Sequence, residues 1–177
     1  MINHMDRVKM IEFQDRGDER GQLIVVEGAQ DIPFDIKRTF YIYGSDATVV
    51  RGKHANRRTE FVLINVAGSS KVKVLDGAGN ETIFCLNRPN TGIYLPNMVW
   101  KEMYDFSPDS VLLVLASEHY DAAEYIRDYD EYVKEISSFS NENSFLSQFI
   151  VNSYSFFEYM FICKDIWFLS CFLHHLA

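Results

Sequence analysis

Lys71-Val72-Lys73-Val74-Leu75-Asp76-Gly77-Ala78-Gly79-Asn80-Glu81-Thr82-Ile83-Phe84-Cys85-Leu86 is the stretch whose reading decides the fold class. Its first five residues alternate charged and apolar side chains, which predicts a strand with one wet and one dry face. Asp76 to Asn80 supplies two glycines for the positive φ that a tight reversal needs, and Glu81 to Leu86 is the return strand. Within that strand Cys85 reads as a small buried hydrophobe. Working outward, Gln22 to Glu27 and Arg38 to Tyr43 are β-branched or aromatic runs closed by Gly28 and by Gly44-Ser45-Asp46. Phe61 to Val66 is a strongly apolar strand closed by Gly68. After the turn Asn87-Arg88-Pro89-Asn90 come Gly92 to Leu95, Lys101 to Phe106 and Val111 to Ala116. Many short strands at near-regular spacing imply an antiparallel sandwich or barrel.

The period changes at Asp121. Ala122, Tyr125, Ile126, Tyr129, Tyr132, Val133 and Ile136 recur at three and four residues, which predicts an amphipathic helix against the outside of the barrel or across a dimer seam. Asp121 and Glu124 read as its N-cap pair. The expected division is a domain over residues 1–136 and an atypical hydrophobic extension over 137–177. Glu158, Lys164 and Asp165 interrupt the apolar part of that extension, so it holds no clean run of about 20 apolar residues to span a bilayer. Three readings stand for it: an extra helix packed on the barrel or its dimer, a membrane-surface anchor, or a tail unrelated to the domain.

A chain of 177 residues with 47% hydrophobic and 24% charged residues is ordinary for a globular domain. A net charge of -8 argues against general nucleic-acid binding, which needs a basic face, but leaves room for one small anionic ligand. Cys85, Cys163 and Cys171 have no paired spacing, and Met1-Ile2-Asn3-His4-Met5-Asp6 lacks an apolar signal core. A cytoplasmic protein is expected.

Arg51-Gly52-Lys53-His54-Ala55-Asn56, with Glu60 four residues on, resembles the first metal motif of a cupin barrel with Asn56 in place of a histidine. Gly92-Ile93-Tyr94-Leu95-Pro96 and then Val99-Trp100-Lys101 resemble the second, with Lys101 in place of another. A lone imidazole among polar neighbours suits proton transfer better than metal chemistry. Neither a metal nor a cofactor is expected, and Glu60 reads as a hydrogen-bonding residue. Arg57 and Arg58 read as solvated charges flanking the strand end. Taken with Arg20-Gly21-Gln22-Leu23, Ile36-Lys37-Arg38, Tyr41, Glu102-Met103, Asp105-Phe106 and Val114-Leu115-Ala116-Ser117, these residues resemble the WxcM-like sugar cupins, the dTDP-4-oxo-6-deoxy-glucose 3,4-ketoisomerases. The similarity runs from about Ile11 to Ile136.

The resemblance implies an all-β cupin, or jelly-roll, homodimer. It implies an enzyme that moves a carbonyl from C4 to C3 of a dTDP-linked 4-oxo-6-deoxyhexose. The product would serve synthesis of a 3-amino-3,6-dideoxyhexose for surface polysaccharide such as the O-antigen of lipopolysaccharide. The family's first motif histidine maps to His54, its tyrosine to Tyr41 and its arginine to Arg51. His54 is then the expected base, since an ordinary imidazole titrates near working pH. Asn56, two residues on and so on the same strand face, is a candidate donor to the sugar oxygens. Tyr41 is a candidate to polarise an oxygen or relay a proton, and Arg51 to hold the diphosphate. Lys101, if inward, would stabilise enolate charge or contact a phosphate. A sugar-nucleotide epimerase and a non-catalytic sugar-binding cupin are the alternatives. An epimerase needs a base and an acid on opposite ring faces, and one dominant histidine favours the isomerase.

Overall fold

The structure, a computed structural model, describes residues 4–138. The expectations for the hydrophobic extension lie outside the described residues. Ten strands run in chain order: β1 (Lys9–Glu12), β2 (Arg38–Tyr43), β3 (Arg51–Asn56), β4 (Phe61–Ala67), β5 (Ser70–Leu75), β6 (Glu81–Leu86), β7 (Thr91–Leu95), β8 (Trp100–Tyr104), β9 (Val111–Ala116) and β10 (Tyr125–Ile126). They form two five-stranded antiparallel sheets, ordered β1-β7-β4-β9-β2 and β10-β3-β8-β5-β6. This is the antiparallel two-sheet architecture that the turn and strand pattern predicts, and it agrees with the cupin fold that the family resemblance implies.

The core between the sheets is built from inward side chains of both: Phe61 and Leu63, Val72 and Val74, Ile93 and Leu95, Met103, Leu112 and Val114. A second cluster lies on the other face of the first sheet, where Phe13, Ile32 and Phe34 cover Val62, Ile64 and Tyr94. β4 is therefore buried on both faces, which is why its sequence is a continuous apolar run rather than an alternation. The Lys71–Leu75 alternation is real on β5: Val72 and Val74 point into the core, while Lys73 pairs with Glu102 at 3.0 Å.

Several boundaries differ from expectation for identifiable reasons. Gln22 to Glu27 is not a strand. Ile24 and Val26 pack onto the second cluster, but the segment drapes over a sheet face and makes only an isolated bridge, Asp15 to Ile24. β1 has no counterpart among the expected strands, because four mostly exposed residues at a sheet edge carry little pattern. β8 stops at Tyr104 because Asp105 has φ +54. Cys85 is exposed, since β6 is an edge strand and of its residues only Leu86 is buried.

The helix also starts later than expected. Asp121 caps a single 3-10 turn, Ala122–Glu124, and Tyr125–Ile126 then pair with Asn56 and Ala55 of β3. The α-helix, α1, covers residues 129–138. Asp128 caps it, accepting from the Glu131 amide at 2.9 Å. Its Tyr132 is fully buried against Trp100 and donates to the Leu75 and Met98 carbonyls at 3.1 and 3.3 Å. The helix thus packs on the outer face of the second sheet.

Candidate active site

A cavity of about 340 Å³ opens between the sheets. Its polar and titratable lining comes from Arg51 and His54 on β3, Lys101 on β8, Tyr41 on β2 and Tyr125 on β10. Arg51 and His54 are three residues apart, so a regular strand would place them on opposite faces. A β-bulge resolves this. The pairing of β3 with β8 shifts between Gly52 and His54, with Gly52 at φ +86 and Lys53 at φ +53. The extra residue re-aims the strand so that both side chains reach the cavity. Gly52 is required here on a second count, since a Cβ would lie 2.7 Å from the Lys101 carbonyl oxygen.

His54 and Lys101 are Cα partners across β3 and β8. Alternation along β8 sends Trp100 outward against α1 and Lys101 inward, which decides the orientation that sequence alone leaves open. His54 Nδ1 lies 3.0 Å from the Gly52 carbonyl oxygen. A carbonyl only accepts, so this contact requires the Nδ1–H tautomer and leaves Nε2 as the basic nitrogen. Burial pushes the imidazole pKa down to about 3, helped by the Lys101 ammonium and Arg127 and opposed by the Gly52 carbonyl. The ring is neutral at pH 7, the form a base needs.

Lys101 is only 5% exposed. Its Nζ donates to Asn56 Oδ1 at 2.7 Å and sits 4.6 Å from the centre of the Phe61 ring. Burial pulls its pKa down to about 7, against a small upward pull from Glu124. Asn56 shares the inward side with His54, as the two-residue spacing predicts. It does not line the cavity, however. Its Oδ1 is engaged by Lys101, and its Nδ2 is buried without a hydrogen-bond partner. It therefore reaches the cavity through Lys101.

Tyr41 stands at the cavity mouth and is 63% exposed. Arg51 is oriented by Ser45, whose Oγ accepts from its Nε at 2.9 Å. Glu60 lies apart from the cavity and accepts from Arg7 and from Tyr94 at 3.0 and 2.6 Å, a hydrogen-bonding role as expected. Arg57 and Arg58 are not merely solvated charges. Arg57 binds Glu131 and Glu135 of α1, and Arg58 binds Glu124 and Asp121, so both tie the C-terminal segment to the end of β3. Among the described residues, no group of three or more His, Cys, Asp and Glu side chains could hold a metal ion.

Tyr125 and Arg127 escaped the sequence reading. The Tyr125 ring lies 4.9 Å from His54, and the Arg127 guanidinium lies 4.8 Å from the Tyr125 ring centre. Helical periodicity absorbed Tyr125, and a two-residue strand offers no pattern by which to find it.

Two antiparallel sheets thus close on a pocket lined by an imidazole and a buried amine, a cupin-type arrangement. Residues 6–137 match the family described as FdtA: WxcM-like, C-terminal. The chain is 42% identical over 134 residues to the TDP-4-oxo-6-deoxy-alpha-D-glucose-3,4-oxoisomerase of Aneurinibacillus thermoaerophilus, covering 76% of this chain and 96% of that one. Among solved structures it is similar to a variant of the 3,4-ketoisomerase QdtA from Thermoanaerobacterium thermosaccharolyticum in complex with TDP-4-keto-6-deoxyglucose. That match has TM-score 0.70 and 45% identity, and covers 72% of this chain and 92% of the other. It is also similar to a 3,4-ketoisomerase from Helicobacter canadensis, with TM-score 0.71 and 42% identity over 73% and 97% of the two chains. The chain belongs to the WxcM-like FdtA family. It is an isomerase, an intramolecular oxidoreductase.

Proposed function

We propose that this protein is a TDP-4-oxo-6-deoxyglucose 3,4-ketoisomerase in which His54 carries the proton between the two carbons. The C3 hydrogen is acidified by the adjacent C4 ketone. His54 Nε2 removes it, an enediol forms, and the same imidazole returns the proton at C4. The observation that carries this reading is the His54 tautomer: the Gly52 carbonyl holds Nδ1–H and leaves a neutral, basic Nε2 on a cavity-lining side chain. A single base serves both carbons if it lies over the C3–C4 edge, and such a group contributes on the order of 10²–10⁴-fold.

Arg51 is assigned to the diphosphate and Tyr41 to a sugar oxygen, and Lys101 contacts the substrate at the reacting face. The names of the relatives support the TDP-hexose as substrate. The homodimer, the cytoplasmic setting and the route to a 3-amino-3,6-dideoxyhexose for O-antigen and lipopolysaccharide belong to the same reading, on the strength of the family resemblance.

Incubation with TDP-4-oxo-6-deoxyglucose in D₂O tests it by NMR. The expected product is the 3-oxo isomer with solvent deuterium introduced at the reacting carbons. His54→Asn should abolish turnover while TDP still binds. Substantial turnover by that variant would remove His54 from the base position. Binding without turnover by the unaltered protein would favour the sugar-binding alternative.

A further inference from the structure

Moving a carbonyl requires two proton transfers, one between carbons and one between oxygens. His54 accounts for the first alone. We propose that Lys101, held by Asn56, is the acid–base group of the oxygen side, giving a proton to O4 and taking one from O3. The proposal rests on the ketoisomerase reading and deepens it.

The geometry carries it. Lys101 is the cation buried deepest in the cavity wall and sits opposite His54 in the strand register. Its ammonium donates to Asn56, a neutral acceptor, and the Phe61 ring covers another side. Among the described residues no carboxylate forms a salt bridge with it: Glu124, the acid that acts on it, is itself bonded to Thr59 and Arg58. The other charged or titratable groups of the cavity wall are His54 and Arg51 on β3, Tyr41 on β2 and Tyr125 on β10, and Arg127 acts on His54 from over the Tyr125 ring. Lys73 and Glu102 on the neighbouring strand positions pair with each other. A buried amine in this setting gives up and regains a proton near neutral pH.

The steps balance. As the C3–H bond breaks, its proton goes to His54 Nε2 and its electron pair becomes the C3=C4 bond. The C4 carbonyl π pair moves to O4, which takes a proton from the Lys101 ammonium. In the second half, O3–H gives its proton to the neutral Lys101 amine and the C3=O bond forms. The C3=C4 pair takes the proton from His54 at C4. Both side chains end as they began. The coupling has an electrostatic reason: His54 is a weak base beside a cation, and it gains basicity when Lys101 discharges. The two sites hold one positive charge between them throughout.

The test uses Lys101→Met, Lys101→Arg, Asn56→Asp and Tyr41→Phe in the full chain, each checked for TDP binding and thermal unfolding. Product formation, C3 deuterium exchange and pH profiles are the readouts. Lys101→Met should lower kcat by about 10²–10⁴-fold. Lys101→Arg keeps the charge but cannot release a proton, so exchange at C3 should persist better than product formation. In the unaltered enzyme kcat/KM should fall as pH rises past about 7. That alkaline limb should vanish in Lys101→Arg and move upward in Asn56→Asp, because a carboxylate favours the ammonium. A Lys101→Met enzyme within about threefold of the original kcat, well below the loss expected of an acid–base group, overturns the proposal. So does a limb that survives in Lys101→Arg or disappears in Tyr41→Phe. Failure of the unaltered protein to exchange or isomerise would instead overturn the ketoisomerase reading beneath it.

Discussion

Replacing Lys101 with methionine should stabilise the protein at neutral pH, by an amount that shrinks as the pH rises. In the folded chain its pKa falls from the ordinary 10.5 to about 7. The unfolded chain therefore binds more protons between those values, and stability rises with pH across that window. At about 1.4 kcal/mol per pKa unit, the buried ammonium costs ~4 kcal/mol at pH 7 and ~2 kcal/mol at pH 9. Methionine is of similar length and removes that cost, but it leaves Asn56 Oδ1 without its donor, a loss of ~1–3 kcal/mol that does not depend on pH. The variant should thus be about 2 kcal/mol more stable at pH 7 and close to the original at pH 9. Urea unfolding of both proteins at the two pH values measures this. Taking the difference removes Lys71 and Lys73, whose pKa values are raised by Asp105 and Glu102 in both proteins. The His54 imidazole is neutral throughout this range. A gap that stays constant to within about 0.5 kcal/mol, or that widens toward pH 9, refutes the claim that Lys101 is a costly buried cation.

Gly52→Ala forces a Cβ to 2.7 Å from the Lys101 carbonyl at φ +86. A loss of ~1–3 kcal/mol in thermal unfolding is expected, with turnover down by about 100-fold because the bulge aims His54 and Arg51. Unchanged turnover would mean that the bulge does not position the site. Glu124→Gln concerns acid stability. Burial opposes the Glu124 charge, but hydrogen bonds from Thr59 and Arg58 outweigh it and hold the pKa below the usual 4.5. The unaltered protein should keep this contribution above that pH and lose it as pH falls through the folded pKa. The variant should start less stable at pH 7 by ~1–3 kcal/mol and show a flatter acid limb in denaturant titrations.

The strand framework was legible because β5, the glycine turn and β6 declare their period and reversal within sixteen residues. β4 was legible for the opposite reason, as burial on both faces erased alternation and left an apolar run. Gln22 to Glu27 misled because β-rich composition reports a half-buried extended segment, and only a hydrogen-bonded neighbour makes it a strand. Tyr125 and Ile126 fit a helical period yet pair with β3, since the cavity wall needed one more short strand before α1 could begin at residue 129. Within the site, His54 and Arg51 were visible as a motif, but the bulge that brings them to one face depends on φ values at Gly52 and Lys53 that no pattern encodes.

Asn56 and Lys101, met in sequence as two separate departures from the family's histidines, form one unit in the fold. A hydrogen bond of 2.7 Å joins them. An ammonium has three donors and no acceptor, so its buried partner must offer a lone pair without demanding one. The Asn56 carbonyl oxygen does this, and as a neutral group it does not pin the lysine in its charged form. An aspartate there would lock the proton onto Lys101. A second imidazole there would compete for the single positive charge that the proposed mechanism has His54 and Lys101 share. The neutral asparagine at 56 thus suits the lysine at 101, and in the proposed mechanism the pair would keep a mobile proton opposite His54.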